Sequence, residues 1–185
     1  MTLPHRTRLS PRATQIVQAA RGLLESNGVE AMTMRLLAEF LEMRAPSLYK
    51  HFRNKEAIEI ALIEQGLTDI GTVLHEAVAT PDPDGTIPTL LRTYRRHALA
   101  QPNLYRLSTQ GELPREQLAE GLEEWAGTPF FLAAGEAHLA QALWSFAHGM
   151  VILELDNRFP PGNLDATWQA GATAFNTAAA HVPAT

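Results

Sequence analysis

Residues 33–55, TMRLLAEFLEMRAPSLYKHFRNK, decide the fold. Leu36, Leu37, Phe40 and Leu41 recur at helical spacing and predict a short helix from about Met34 to Leu41, with those residues facing inward. A turn follows at Glu42-Met43-Arg44. A second short helix should start near Ala45 or Pro46, since proline is well tolerated in a first helical turn. Leu48 and Phe52, four apart, form its inner face. Arg44, Ser47, Lys50 and His51 are left outside, and Tyr49 lies between the two faces. A short helix with a polar outer face, held across another short helix, is the geometry of a helix-turn-helix.

The pattern L-A-x-x-L-x-M-x-A-P-S-L-Y-K-H-F-x-N-K-E resembles the DNA-binding signature of TetR-type transcriptional regulators. Leu37, Ala38, Leu41, Ala45, Leu48, Tyr49, His51, Phe52, Lys55 and Glu56 carry it. With a helix at about 11–26 before it and another from about 55 after it, the resemblance covers the first third of the chain. Two positions depart from the signature. It usually has glycine in the turn, where this chain has Glu42. A non-glycine residue at positive φ costs about 1 kcal/mol, so the turn is expected to be strained or reshaped. Arg44 replaces the usual hydroxyl cap of the recognition helix. That removes a side-chain acceptor for the helix N-terminus and adds a positive charge.

On chemistry, Arg44 and Lys50 suit phosphates or guanine O6/N7, and Ser47 suits base or backbone. The resemblance implies that Tyr49 and His51 hydrogen-bond phosphates. Thr33 should cap its helix and touch the DNA backbone, and Arg35 and Ala45 complete the DNA-facing set. Lys55 can meet a phosphate with help from the positive end of the next helix.

Working outward, residues 1–9 read as a mobile arm in which Arg6 and Arg8 could reach phosphate or a minor groove. Ser10 as cap, Pro11 at the first helical position and Asn27-Gly28 as the stop frame the first helix. Its stripe of Ile16, Val17, Ala20, Leu23 and Leu24 should lie over the two short helices. Asn54 caps a long helix towards Ala79. Beyond the loop at 81–85, helices are predicted at about 86–100, 103–109, 115–126, 135–156 and 165–180, with breaks that include Gly127-Thr128-Pro129. The fold is therefore expected to be all-α with about nine helices: a DNA-binding head at 1–52 and a ligand-binding and dimerisation domain at 53–185.

The helix at 135–156 is apolar nearly all round and must be buried on more than one side. With the alanine-rich last helix it predicts a four-helix interface between two copies, with Met150, Leu153, Trp168 and Phe175 as interface candidates. Trp144, His148 and Gly149 resemble the W-x-x-x-H-G mark of a C-terminal domain type within TetR-like regulators. That resemblance implies dimerisation through the last two helices and a ligand pocket among the middle ones. Tyr94, His97, Tyr105, Trp125, Trp144 and His148 are the pocket candidates; Tyr94 and His97 read equally as core, and the other four read more readily as core than as pocket.

The net charge of −5 hides a split. Residues 1–56 hold nine Lys/Arg against five Asp/Glu, and residues 57–185 hold six against fifteen. DNA would attract the first part and repel the second. Without cysteine there is no disulfide, zinc-thiolate site or cysteine nucleophile. The seven histidines are scattered, and no nucleophile elbow, P-loop, dinucleotide fingerprint or zinc-protease motif occurs, so no enzyme, metal or cofactor is expected. The basic N-terminus has no apolar segment of a signal peptide, and residues 137–153 are short for a membrane span, so a cytoplasmic protein is expected. The reading is a homodimeric repressor that leaves a near-palindromic operator when a small apolar effector binds. The alternatives are a regulator of the same fold controlled by a protein partner, and a helical carrier or enzyme without a DNA function.

Overall fold

The computed structural model describes residues 2–5 and 9–182, and every regular element among them is helical. The α-helices are α1 (Pro11–Ala31), α2 (Met34–Phe40), α3 (Ala45–Tyr49), α4 (Lys55–Ala79), α5 (Thr86–Ala100), α6 (Pro102–Thr109), α7 (Leu122–Ala134), α8 (Ala137–Leu155) and α9 (Asp165–Ala179). A short 3₁₀ turn spans Arg115–Gln117. Arg6 and Arg8 lie outside the described residues. The chain forms two compact units, Met1–Thr68 with Gln101–Glu123 and Asp69–Ala100 with Glu124–Thr185. α4 passes from one to the other.

In the first unit, Ser10 Oγ accepts from the Ala13 amide at 3.2 Å and starts α1. Ile16, Val17, Ala20, Leu23 and Leu24 are all buried, as their spacing predicts, and join Leu37, Leu48, Phe52, Ile58 and Leu62 in one apolar cluster. Gly28, at φ 78 and ψ 168, breaks the helix where the stop was expected, and three further residues continue to Ala31. α2 corrects one assignment. Its inner residues are Leu37 and Ala38, with Met34, Leu36 and Leu41 partly buried against the core, so of the four predicted only Phe40 points away. Phe40 is 61 % exposed. Phe40 sits on the neighbouring flank, and in so apolar a segment its stripe fits the spacing as well. Asn54 Oδ1 accepts from the Ala57 amide at 3.0 Å and starts α4.

In the second unit, the predicted break at Gly127-Thr128-Pro129 is absent: α7 runs through Pro129. A proline inside a helix leaves the carbonyl four residues back without its amide. Here that carbonyl belongs to Trp125, and it accepts instead from His75 Nε2 on α4 at 3.0 Å. The His75 ring also packs on the Trp125 indole at 4.8 Å between centroids. A tertiary donor thus replaces the missing helical one. The predicted helix at 115–126 is the 3₁₀ turn followed by the start of α7. α8 opens on Glu136, whose carboxylate accepts from the amides of His138 and Leu139 at 2.8 and 2.7 Å and has its pKa lowered by those bonds. Phe146 packs edge-on against Trp168 at 5.8 Å and tilted against Phe175 at 5.6 Å, joining α8 to α9.

Candidate functional site

The turn between α2 and α3 keeps its shape with Glu42 in the glycine position. Glu42 adopts φ 52. Its amide donates to Glu39 O at 3.1 Å, and the Met43 amide donates to Ala38 O at 2.8 Å. These two bonds close a Schellman motif, the usual setting for a glycine. The strain expected of a non-glycine residue is therefore present, and the turn is not reshaped.

α3 starts on Arg44, which makes no side-chain cap, and Pro46 lies in its first turn. Leu48 is fully buried and Phe52 nearly so, which pins one face to the core. Arg44, Ala45, Tyr49, Lys50 and His51 are exposed on the other face, and Ser47 is half-buried. Neither Arg44 nor Lys50 has a carboxylate partner among the described residues, so their charge is available to a polyanion. Arg53 is likewise exposed and belongs with them. The sequence reading passed it over, although its place between His51 and Lys55 in a basic run was the available signal. Thr33 Oγ1 accepts from the Leu36 amide at 3.1 Å and caps α2. Arg35 is exposed and pairs with Glu39 at 3.0 Å, a contact worth little in solvent. Lys55 is more committed: Nζ donates to Val29 O at 2.7 Å and lies 3.2 Å from Glu59, so one of its three donors remains for a phosphate.

The pocket candidates divide between the units. Tyr105 is buried in the first. In the second, Tyr94 is buried edge-on to Phe130 at 5.5 Å, and Trp125 is buried against His75. His97 is half-buried. Trp144 is 43 % exposed and stacks on His148 at 5.6 Å, and burial lowers the His148 pKa below its ordinary value. A cleft of about 310 Å³ between α5 and α9 is lined by Pro88, Leu91, Arg95, Asp165, Trp168 and Ala172 among others, and by none of those six. Of the interface candidates, Met150 and Trp168 are buried within the subunit and have little surface to offer a second copy. Leu153 is 43 % exposed and Phe175 half-buried. Among the described residues, no group of three or more His, Asp or Glu could hold a metal ion, and no helix is long and apolar enough to cross a membrane.

Residues 16–62 match the family model of bacterial regulatory proteins of the tetR family, and residues 87–175 match a tetracyclin repressor-like C-terminal domain. Over 154 residues the chain is 30 % identical to the tetracycline repressor protein class A from transposon 1721 of Escherichia coli, covering 80 % of this chain and 68 % of that one. It belongs to the TetR family. The class C tetracycline repressor of Escherichia coli is 29 % identical over 143 residues, covering 74 % of this chain and 63 % of that protein. The chain thus spans about two thirds of the length of these TetR relatives. A TetR variant from Acinetobacter baumannii AYE, solved in complex with minocycline, is similar at a TM-score of 0.57 and 25 % identity over 94 % of this chain and 96 % of that one. The helix-turn-helix built by α2 and α3 is therefore a TetR-family head.

Proposed function

We propose that the protein is a homodimeric transcriptional repressor that binds a near-palindromic DNA operator and leaves it when a small, largely apolar effector binds. The observation that carries this reading is the outer face of α3, where Arg44, Lys50, Tyr49 and His51 are exposed above a buried Leu48 in a TetR-family head. Residues 1–52 act as the DNA-binding head, and residues 53–185 supply effector binding and dimerisation. The two heads of a dimer enter successive major grooves about 34–36 Å apart. Dimerisation uses the outer faces of α8 and α9. Trp144 and Leu153 are exposed on α8, and the small exposed residues Ala166, Ala170 and Ala174 of α9 allow close approach. Of the pocket candidates, Tyr94, His97, Trp125 and His148, all in the second unit, supply the effector contacts. The similar TetR variant is in complex with minocycline, which supports a ligand of comparable size. The effector acts only by binding the DNA-bound and released conformations unequally. The protein works in the cytoplasm, with the DNA.

The test is a gel shift with the DNA upstream of the protein's own gene against unrelated competitor. A competitor-resistant shift supports the reading; a shift lost equally to any DNA leaves only non-specific phosphate binding. Lys50→Ala should weaken the specific complex. Loss of a phosphate contact lowers the salt slope by roughly one, and loss of a guanine contact removes about 1–3 kcal/mol at one base position. Unchanged affinity removes Lys50 from the interface.

A further inference from the structure

α6 begins without a cap of its own. Gln101, at its N-cap, makes no side-chain hydrogen bond to the helix, and Pro102 has no amide. The next two amides, of Asn103 and Leu104, would be orphans. Both are taken by one carboxylate from α1. Glu25 Oε1 accepts from the Leu104 amide at 2.7 Å, and Glu25 Oε2 accepts from the Asn103 amide at 3.3 Å. The contact is returned, because Asn103 Nδ2 donates to the Glu25 main-chain carbonyl at 3.0 Å. One turn earlier on α1, the Arg21 guanidinium donates to Gln101 Oε1 through Nε at 3.0 Å and also through an NH2 group. A negative group at a helix N-terminus is favoured by the helix dipole as well as by the hydrogen bonds.

The same helix is seated on α4. A Cβ on Gly66 would press on the Ser108 side chain and on Leu104 of α6, so a larger residue here would force Ser108 to shift. Leu104 is 1 % exposed and belongs to the apolar cluster that holds Ile16, Leu24 and Leu62. α6, although it follows α5 in the chain, is thus fastened to α1 by polar bonds at its start and to α4 by close packing further along.

We infer that Glu25 is a positioning residue for DNA binding: its carboxylate, by capping α6 from α1, is the joint through which α6 and the head bias one another. This rests on the proposed DNA-binding function. If the joint couples the two, DNA must tighten the cap and the cap must favour DNA, since a coupling free energy is reciprocal.

The experiment uses the full-length protein, its Glu25→Ala and Glu25→Gln variants, and a duplex of the DNA upstream of its own gene. Circular dichroism first sets a temperature at which all three are fully folded. Amide hydrogen exchange at Asn103 and Leu104 is then read with and without the duplex, beside the dissociation constant for that duplex. In the wild-type protein the duplex should slow exchange at both amides, and Glu25→Ala should speed exchange and weaken DNA binding, each on the order of tenfold, within the range of ordinary coupling energies. Glu25→Gln, whose single carbonyl oxygen can hold one amide without charge, should recover part of both effects. A folded Glu25→Ala protein with wild-type DNA affinity and fast-exchanging amides would overturn the joint while leaving DNA binding standing. A duplex that binds without slowing exchange at 103 and 104 would do the same. A wild-type protein that binds no specific DNA sinks the functional reading, and the joint with it.

Discussion

The head and the layer formed by α5, α8 and α9 both hold helices at fixed angles, but with opposite chemistry. α2 and α3 are held to the core by apolar side chains: Leu37, Leu48 and Phe52 are buried, and among the described residues Arg44 and Lys50 on the outer face have no carboxylate partner. The other layer centres on one guanidinium. Arg95 of α5, 22 % exposed, forms two-pronged bonds to Glu154 of α8 at 2.7–3.2 Å and a bond to Asp165 of α9 at 2.7 Å. It also lies over the Trp168 ring at 5.6 Å, while the indole N–H donates to Glu154 at 3.3 Å. A surface suited to a polyanion leaves cations such as Arg44 and Lys50 unpaired, so buried apolar side chains do most of the positioning. A layer with no such duty can neutralise its charges internally and use them as fixed-geometry braces.

The largest expected effect comes from removing the apolar anchor of the head. Leu48→Ala should lower stability by about 3 kcal/mol, as buried leucine truncations do, and abolish specific DNA binding. Urea unfolding checks the first and a gel shift the second; a loss well under 1 kcal/mol would show that burial of Leu48 is not what holds α3. Next is the ionic brace. Glu154→Ala leaves Arg95 partly buried without its main partner, and should lower stability by about 2–3 kcal/mol after allowance for partial exposure. Replacing both, Arg95→Met with Glu154→Leu, should recover most of that, because the attraction is largely offset by desolvation. If the double variant is as unstable as the single one, the pair contributes more than it costs to bury.

Two helix ends sharpen the contrast further. α8 ends like α2: Asn157 at φ 51 donates to Glu154 O at 3.1 Å, and the Arg158 amide donates to Leu153 O at 2.9 Å. Asparagine tolerates this conformation better than glutamate. Glu42→Gly should therefore raise the midpoint of thermal unfolding, with a gain of about 1 kcal/mol, and Asn157→Gly should give roughly half of that or less. Equal gains would show that the strain at Glu42 is nothing special to the head. The smallest effect is on pH dependence. Burial holds the folded His148 pKa below 6.5, so the unfolded chain binds the proton more readily. Stability is then lost as pH falls from about 6.5 towards the folded value, and His148→Gln should flatten that slope in urea titrations at different pH.

Much of the head was legible because its signals are local. Ser10, Thr33 and Asn54 cap the helices they precede, and the stripe from Ile16 to Leu24 is buried as its spacing requires. The glutamate in the turn announced its strain by residue type alone. Failures occurred where a distant partner settled the outcome. Nothing near Pro129 says that His75 will take the carbonyl it orphans. Nothing near Gln101 says that α6 is capped from α1. Spacing alone does not say that the chain's own packing buries Met150 and Trp168.

Family, helix content and the exposed, basic outer face of α3 follow from residue type and short-range spacing, since caps, turns and helical stripes act over a few residues. Which apolar side chains are buried, which charges are neutralised and which amides receive their acceptor from elsewhere follow from three-dimensional packing. Those outcomes depend on residues tens of positions apart, and no local pattern can encode a hydrogen bond between Glu25 and Leu104 or the brace that joins Arg95 to Glu154.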